Sequence, residues 1–247
     1  MLKICYRNYK VWSRYIGSSL VANLGEPLLY LLAMGFGVGH YVQQIDGRPY
    51  PQFIAPALVV VAIMNAATFE TTFSSYTRLA VQKTFDAMAV TPLSVRDIVF
   101  GEILWAAIKG MFSAVIIMAV LASFGLIRSP WALMALPLGF VEGLLFAAIG
   151  LLVSAYANGY EVFNYYFTLF VSPMFLFSGT FFPLNHMPNL VQKLAWIFPL
   201  TYASQGAREV FFAMPGKVYF KSFFCLLLMM IPLTYWVLKK MERKLIV

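Results

Sequence analysis

Six apolar stretches, near residues 17–39, 52–73, 98–123, 131–156, 162–182 and 219–238, take up most of this 247-residue chain. A hydrocarbon core of about 30 Å is crossed by about 20 predominantly apolar residues of helix, and each stretch is long enough to do so. With 61% hydrophobic and 11% charged residues, too little polar sequence remains for a water-soluble domain of any size. The expectation is an all-α integral membrane protein with six transmembrane helices, residues 1–247 forming one membrane domain.

The basic residues sort to one side of these spans. Stretches 1–16, 74–97 and 239–247 hold Lys3, Arg7, Lys10, Arg14, Arg78, Lys83, Arg96, Lys239, Lys240, Arg243 and Lys244. The opposite connections hold Arg48, Arg128, Lys193, Arg208, Lys217 and Lys221, mostly in one long segment. Lys and Arg favour the cytoplasmic side, so both termini are expected inside, in keeping with an even number of spans. The net charge of +8 belongs to the membrane flanks and does not mark a nucleic-acid binder. Cys5 and Cys225 fall at opposite faces, so no disulfide joins them. The first apolar run is too long for a signal-peptide core, and Glu26-Pro27 interrupts it where a cleavage site should follow, so it is expected to remain as an anchor.

Three segments lie outside the spans. Residues 1–16 read as a helix lying in the inner interface: Lys3, Arg7, Lys10 and Arg14 form a basic stripe, with Cys5, Tyr9, Trp12 and Ile16 opposite. Between the second and third spans, Tyr76 to Val90 reads as a short helix disrupted by Pro92. Ser94 and Asp97 then form an N-terminal capping pair for the third span. A mere connector needs fewer residues than the 76–93 region has, and docking to a soluble partner accounts for its size. The segment 183–218 holds two helix-sized pieces, near 188–198 and 201–212, separated by Pro199. Neither spans, yet both carry apolar residues, so a re-entrant hairpin dipping into the outer leaflet is expected.

Catalytic chemistry is absent from the motifs. No G-x-x-x-x-G-K-[ST] loop occurs, so ATP, if it is used, is bound by another chain. The GFGVG run at the outer end of the first span reads as close helix packing through Gly35 and Gly39. His40 and His186 both sit near the outer edge without a metal-ligand motif, and no nucleophile has a base at depth. No catalytic residue, metal site or cofactor site is assigned.

Charges within or beside spans are costly unless paired or hydrated, which singles out Glu26, Glu102, Lys109 and Glu142. Lys109 lies about eleven residues into the third span from inside, and Glu142 about eleven into the fourth from outside. Each is then roughly 16 Å from its own end, and a Lys109–Glu142 pair between antiparallel neighbours is expected, either as a structural pin or as a substrate contact. The fifth span carries Tyr165, Tyr166, Phe170, Phe175 and Phe177, an aromatic wall that serves packing and interfacial anchoring or stacks on a sugar-bearing, amphipathic cargo.

The stretches NAATFE (65–70), QKTFDAMAVTPLSVRDIVFGEILWAAIKG (82–110) and YYFTLFVSPMFLFSGTFFPLNHMP (165–188) resemble the ABC type-2 permeases. Within them the chain is most similar to the NodJ-like lipo-oligosaccharide exporter subgroup, and the likeness covers nearly its whole length. The resemblance implies a permease of the bacterial inner membrane that pairs with a second copy, a homodimer being expected. Each copy would dock a separate cytoplasmic ATPase, which binds the ATP and Mg. It places the coupling element at Gln82, Lys83, Thr84, Phe85, Asp86 and Thr91. It turns the first, second and fifth spans toward the substrate path. The outer closure falls to the 188–212 hairpin, with Trp196, Arg208 and Glu209. Relatives of this kind export polysaccharides, glycolipids or other amphipathic compounds. The alternative from the residues alone is an ATP-independent carrier or channel built on Glu26, Lys109 and Glu142.

Overall fold

Ten helices account for most of the chain in the computed structural model, which describes residues 1–42 and 44–245. Among the described residues, five are long and apolar enough to cross a membrane: α2 (Ile16–Tyr41), α3 (Tyr50–Val81), α5 (Val95–Ser123), α6 (Pro130–Tyr156) and α10 (Lys217–Leu245). The other five are α1 (Leu2–Trp12), α4 (Thr84–Ala89), α7, α8 (Asn189–Ala195) and α9 (Pro199–Phe212). Helix α7 joins Glu161–Tyr166, Phe167–Val171 and Ser172–Phe177 without a break, roughly 25 Å at 1.5 Å per residue. It stops short of the predicted residue 182 because Gly179 turns to φ +75°, a left-handed conformation that ends helices and that glycine adopts without strain.

Helix α3 is the hub. Of its most apolar window 94% is buried, and it packs against α2, α5, α6 and α9. A helix covered on all sides needs no polar stripe, and the run APALVVVAIMNAAT has none. Its neighbours approach through small residues. Gly110, Gly139 and Gly143 all face Ile63, and Gly150 faces Thr71; this is how helices approach closely where hydrophobic driving force is weak. Helices α2 and α10 lie at the edges, with only 25% and 17% of their apolar windows buried.

The connections follow local chemistry. A two-stranded hairpin, β1 (Gln44–Ile45) and β2 (Arg48–Pro49), is antiparallel, and Asp46 and Gly47 at its tip both take positive φ, as a tight two-residue hairpin turn demands. Ser94 Oγ accepts from the Asp97 backbone N–H at 3.1 Å, and Asp97 accepts from the Ser94 N–H at 3.3 Å, so the expected cap at the start of α5 is present. Helix α3 runs on to Val81, and the break comes at Lys83 (φ 53°), so the helix expected over 76–90 is the end of one helix and the start of another.

Helix α1 ends at Trp12. It lies on α5 through Ile4, Cys5, Asn8 and Trp12, with Trp12 and Trp105 edge to face at 5.9 Å. Tyr9 and Ile16, expected on the same face, are exposed. The Met1 amino group meets Asp97 at 3.3 Å and Arg96 meets Glu242 at 3.4 Å, so the N-terminus, the α3–α5 connection and the end of α10 share one end of the molecule. Between α7 and α10, both short helices of the 183–218 segment form. Leu200, Ala203, Ala207, Val210 and Phe211 of α9 are fully buried, packed against α3, α6 and α10.

Candidate functional site

A buried network of charges stands near the terminus-bearing end. Glu70 and Arg78 sit two turns apart on α3, where wide π-type turns run through Glu70–Ser74 and Thr77–Val81; such turns are frequent at functional positions. Arg78 reaches Glu70 Oε1 at 2.9 Å and Glu102 Oε2 at 2.5 Å. Lys109 Nζ donates to Glu70 Oε2 at 2.9 Å. From α1, Arg7 and Asn8 donate to Glu102 Oε1 at 3.3 and 3.0 Å, and Ser75 donates to Glu102 Oε2 at 2.9 Å. Three helices are thereby tied through two carboxylates that are almost entirely out of solvent, the Glu70 and Glu102 side chains being 4% and 0% exposed, while Arg7 keeps one edge open at 31%. Burial draws the Arg7 guanidinium below its ordinary range, while the Glu102 charge opposes that shift.

The expected Lys109–Glu142 pair does not form. Lys109 is held by Glu70, and both carboxyl oxygens of Glu142 are buried without a hydrogen-bond partner. Matching depth was not enough. Ala107 is the α5 residue that meets Gly143 of α6, and Lys109, two residues on, points about 200° around the helix. Glu26 stands apart on α2, an exposed side chain that accepts from Asn65 Nδ2 at 3.0 Å. Of the four charges singled out, only Glu102 and Lys109 belong to the network. Glu70, Arg78 and Asn8 were missed, although a carboxylate and a cation two turns apart at one end of a span were a readable signal.

In front of this network, α4 projects from the end of α3. Gln82, Lys83, Asp86 and Thr91 are exposed, with Lys83 and Asp86 loosely paired at 4.0 Å. Thr84 is half-buried. Phe85 is 0% exposed; it anchors α4 against the bundle, so it is not a surface that a partner could touch. Arg7 Nη1 also donates to Met88 Sδ at 3.3 Å, linking α4 to the charge network.

The remaining sequence candidates separate. On α7, Tyr165 and Phe177 are exposed, whereas Phe175 is buried between Tyr30 and Phe181. Phe170 stacks on Tyr166, whose hydroxyl is buried without a partner. The aromatic wall is therefore half packing and half open face. Arg208 and Glu209 do not pair with each other. Arg208 lies over the Phe53 ring at 4.0 Å and donates to the Gly179 carbonyl at 2.7 Å. Glu209 accepts from the Gly216 and Tyr219 backbone N–H groups at 3.1 and 2.6 Å, a carboxylate at the positive end of α10. Trp196 stacks edge to face on Tyr202.

The family model described as ABC-2 type transporter matches residues 2–212. Nodulation protein J of Sinorhizobium fredii is 37% identical over 210 residues, 85% of this chain and 80% of its own. Nodulation protein J of Rhizobium meliloti is 36% identical over 209 residues, with the same coverage of 85% and 80%. The inner membrane transport permease YadH of Escherichia coli is 24% identical over 210 residues, again 85% and 80%. No solved structure matches.

Proposed function

The chain belongs to the ABC-2 type transporter family, and on that premise we propose that it is the membrane-spanning half of an ATP-driven exporter. In this reading α7 makes the sixth crossing. The shared end of the molecule faces the cytoplasm of a bacterium, and two copies enclose the path. A separate ATPase, carrying the ATP and Mg, docks on α4. The cargo is amphipathic: a glycolipid, lipo-oligosaccharide or polysaccharide, as the likeness to the NodJ-like subgroup suggests.

The observation that carries this reading is the mounting of α4. Its polar side is free, its Phe85 is buried to the root, and Met88 meets Arg7, which in turn holds Glu102. A push on α4 is passed through these contacts to α1, α3 and α5 together. The carrier alternative lacks such support: Lys109 is locked to Glu70, Glu142 is buried without a hydrogen-bond partner, and Glu26 meets neither.

The test is affinity purification of the tagged chain in mild detergent from its own host. An ATPase is expected to follow it and to be lost when Lys83 and Asp86 are both reversed in sign, with the amount of chain in the membrane unchanged. An ATPase still retained at full stoichiometry by the reversed variant would remove α4 as the docking element.

A further inference from the structure

Two adjoining cavities lie between the N-terminal segment and α3. One, of about 320 Å³, has Arg7, Asn8, Val11, Thr77 and Arg78 among its walls. The other, of about 460 Å³, is bounded by Ser18, Lys109, Phe69 and Phe73. They share Tyr15 and Ser74, so a polar chamber continues into a partly aromatic one.

The charges around them do not balance. Three cations, Arg7, Arg78 and Lys109, meet two carboxylates, Glu70 and Glu102. Glu70 also forms part of the polar chamber's wall, but each of its oxygens already holds a cation. Both Glu102 oxygens are likewise engaged. One positive charge is left over, and the buried Nε of Arg78 has no acceptor. An excess cation in the wall of a chamber is an arrangement that an anion completes, because a buried charge is stable only when paired and hydrogen-bonded. Guanidinium groups suit phosphoryl and sulfate oxygens in particular.

We propose that the two cavities together bind one anionic amphiphile, its phosphate or sulfate ester against Arg7 and Arg78 and its hydrocarbon chain along Phe69 and Phe73. Either a lipid of the surrounding leaflet or the transported compound carries that chemistry. The site does not depend on an ATPase partner, so it stands or falls separately from the reading of α4.

The experiment titrates the purified full chain in neutral detergent with dioctanoyl phosphatidic acid, reading thermal stabilisation. Inorganic phosphate and dioctanoyl phosphatidylcholine are run alongside, and Arg7→Met and Val11→Asp are compared with the wild type. Val11 is half exposed on α1 and takes no part in the ion pairs, so its variant places a carboxylate at the chamber, one turn from Arg7, without removing any member of the network. Saturable stabilisation by phosphatidic acid is expected, weakened at least tenfold in both variants, with neither control matching it. Equal stabilisation by phosphatidylcholine would overturn the role of charge, and equal stabilisation by inorganic phosphate would overturn the amphiphile. Unchanged affinity in Val11→Asp would overturn the location. Native mass spectrometry of the membrane-extracted chain separates the sources: a phosphoglycerolipid or a glycan-bearing anion is retained by the wild type and lost from Arg7→Met. Identical spectra for the two would again refute the site.

Discussion

Replacing Glu70 by Gln removes one charge from the centre of the network and leaves its shape. Arg78 and Lys109 both donate to this carboxylate at 2.9 Å, and the Glu70 and Lys109 side chains are only 4% and 9% exposed, so solvent screens little of the loss. Breaking a buried pair by removing one partner costs about 3–5 kcal/mol, because the other charge stays buried. In a chain of this size each kcal/mol lowers the melting midpoint by roughly 2–4 °C, so Glu70→Gln is expected to lower it by about 6–20 °C. The assay is the apparent midpoint in mild detergent, read in a Cys225→Ser background with a thiol-reactive dye, so that the signal reports the opening of buried Cys5 and not the partly exposed Cys225. Glu142→Gln is the control: its carboxyl has no partner to strand, and its midpoint is expected to hold or rise. Adding Lys109→Met to Glu70→Gln removes the stranded cation and is expected to recover at least half of the loss. A Glu70→Gln midpoint within about 2 °C of wild type, or a larger loss in Glu142→Gln, would refute the reasoning.

Phe85→Ala empties a fully buried site, worth about 3–5 kcal/mol locally, so tryptic cleavage after Lys83 is expected to accelerate while the spans stay intact. Glu209→Gln weakens the cap on α10, by about 1 kcal/mol, and amide exchange at Gly216 and Tyr219 is expected to speed up in proportion. Gly150→Leu drives a side chain into Thr71 and the Thr68 carbonyl. It is expected to destabilise the chain by about 1–3 kcal/mol or more, whereas Gly17→Leu, with open space at its Cβ, leaves the midpoint unchanged.

The long helices were readable because length and hydropathy report the same constraint that a bilayer imposes. Local chemistry was equally readable at Ser94 and Asp97, where the capping pair forms as the spacing requires, and at Pro199, which opens α9. The pairing of buried charges was not. Depth along a span can be counted in residues, but the direction in which a side chain leaves its helix depends on which face a neighbour covers. The small-residue contact of Ala107 with Gly143 turned Lys109 toward α3 and left Glu142 alone. Asn8 escaped notice for a related reason. The basic stripe of α1 suggested a helix facing lipid headgroups, yet the strip at Ile4, Cys5 and Asn8 docks on α5 and carries Arg7 inward with it. The resemblance placed Phe85 within the coupling element, and only the fold shows its side chain buried against the bundle.

ATP-dependent movement of cargo is the central claim, and inverted inner-membrane vesicles measure it most directly. Vesicles containing the chain and the ATPase proposed to dock on α4 are expected to accumulate a labelled lipo-oligosaccharide when ATP is supplied, and to stop when that ATPase is inactivated or when Lys83 and Asp86 are reversed. Equal accumulation without ATP, or with the ATPase absent, would contradict the account.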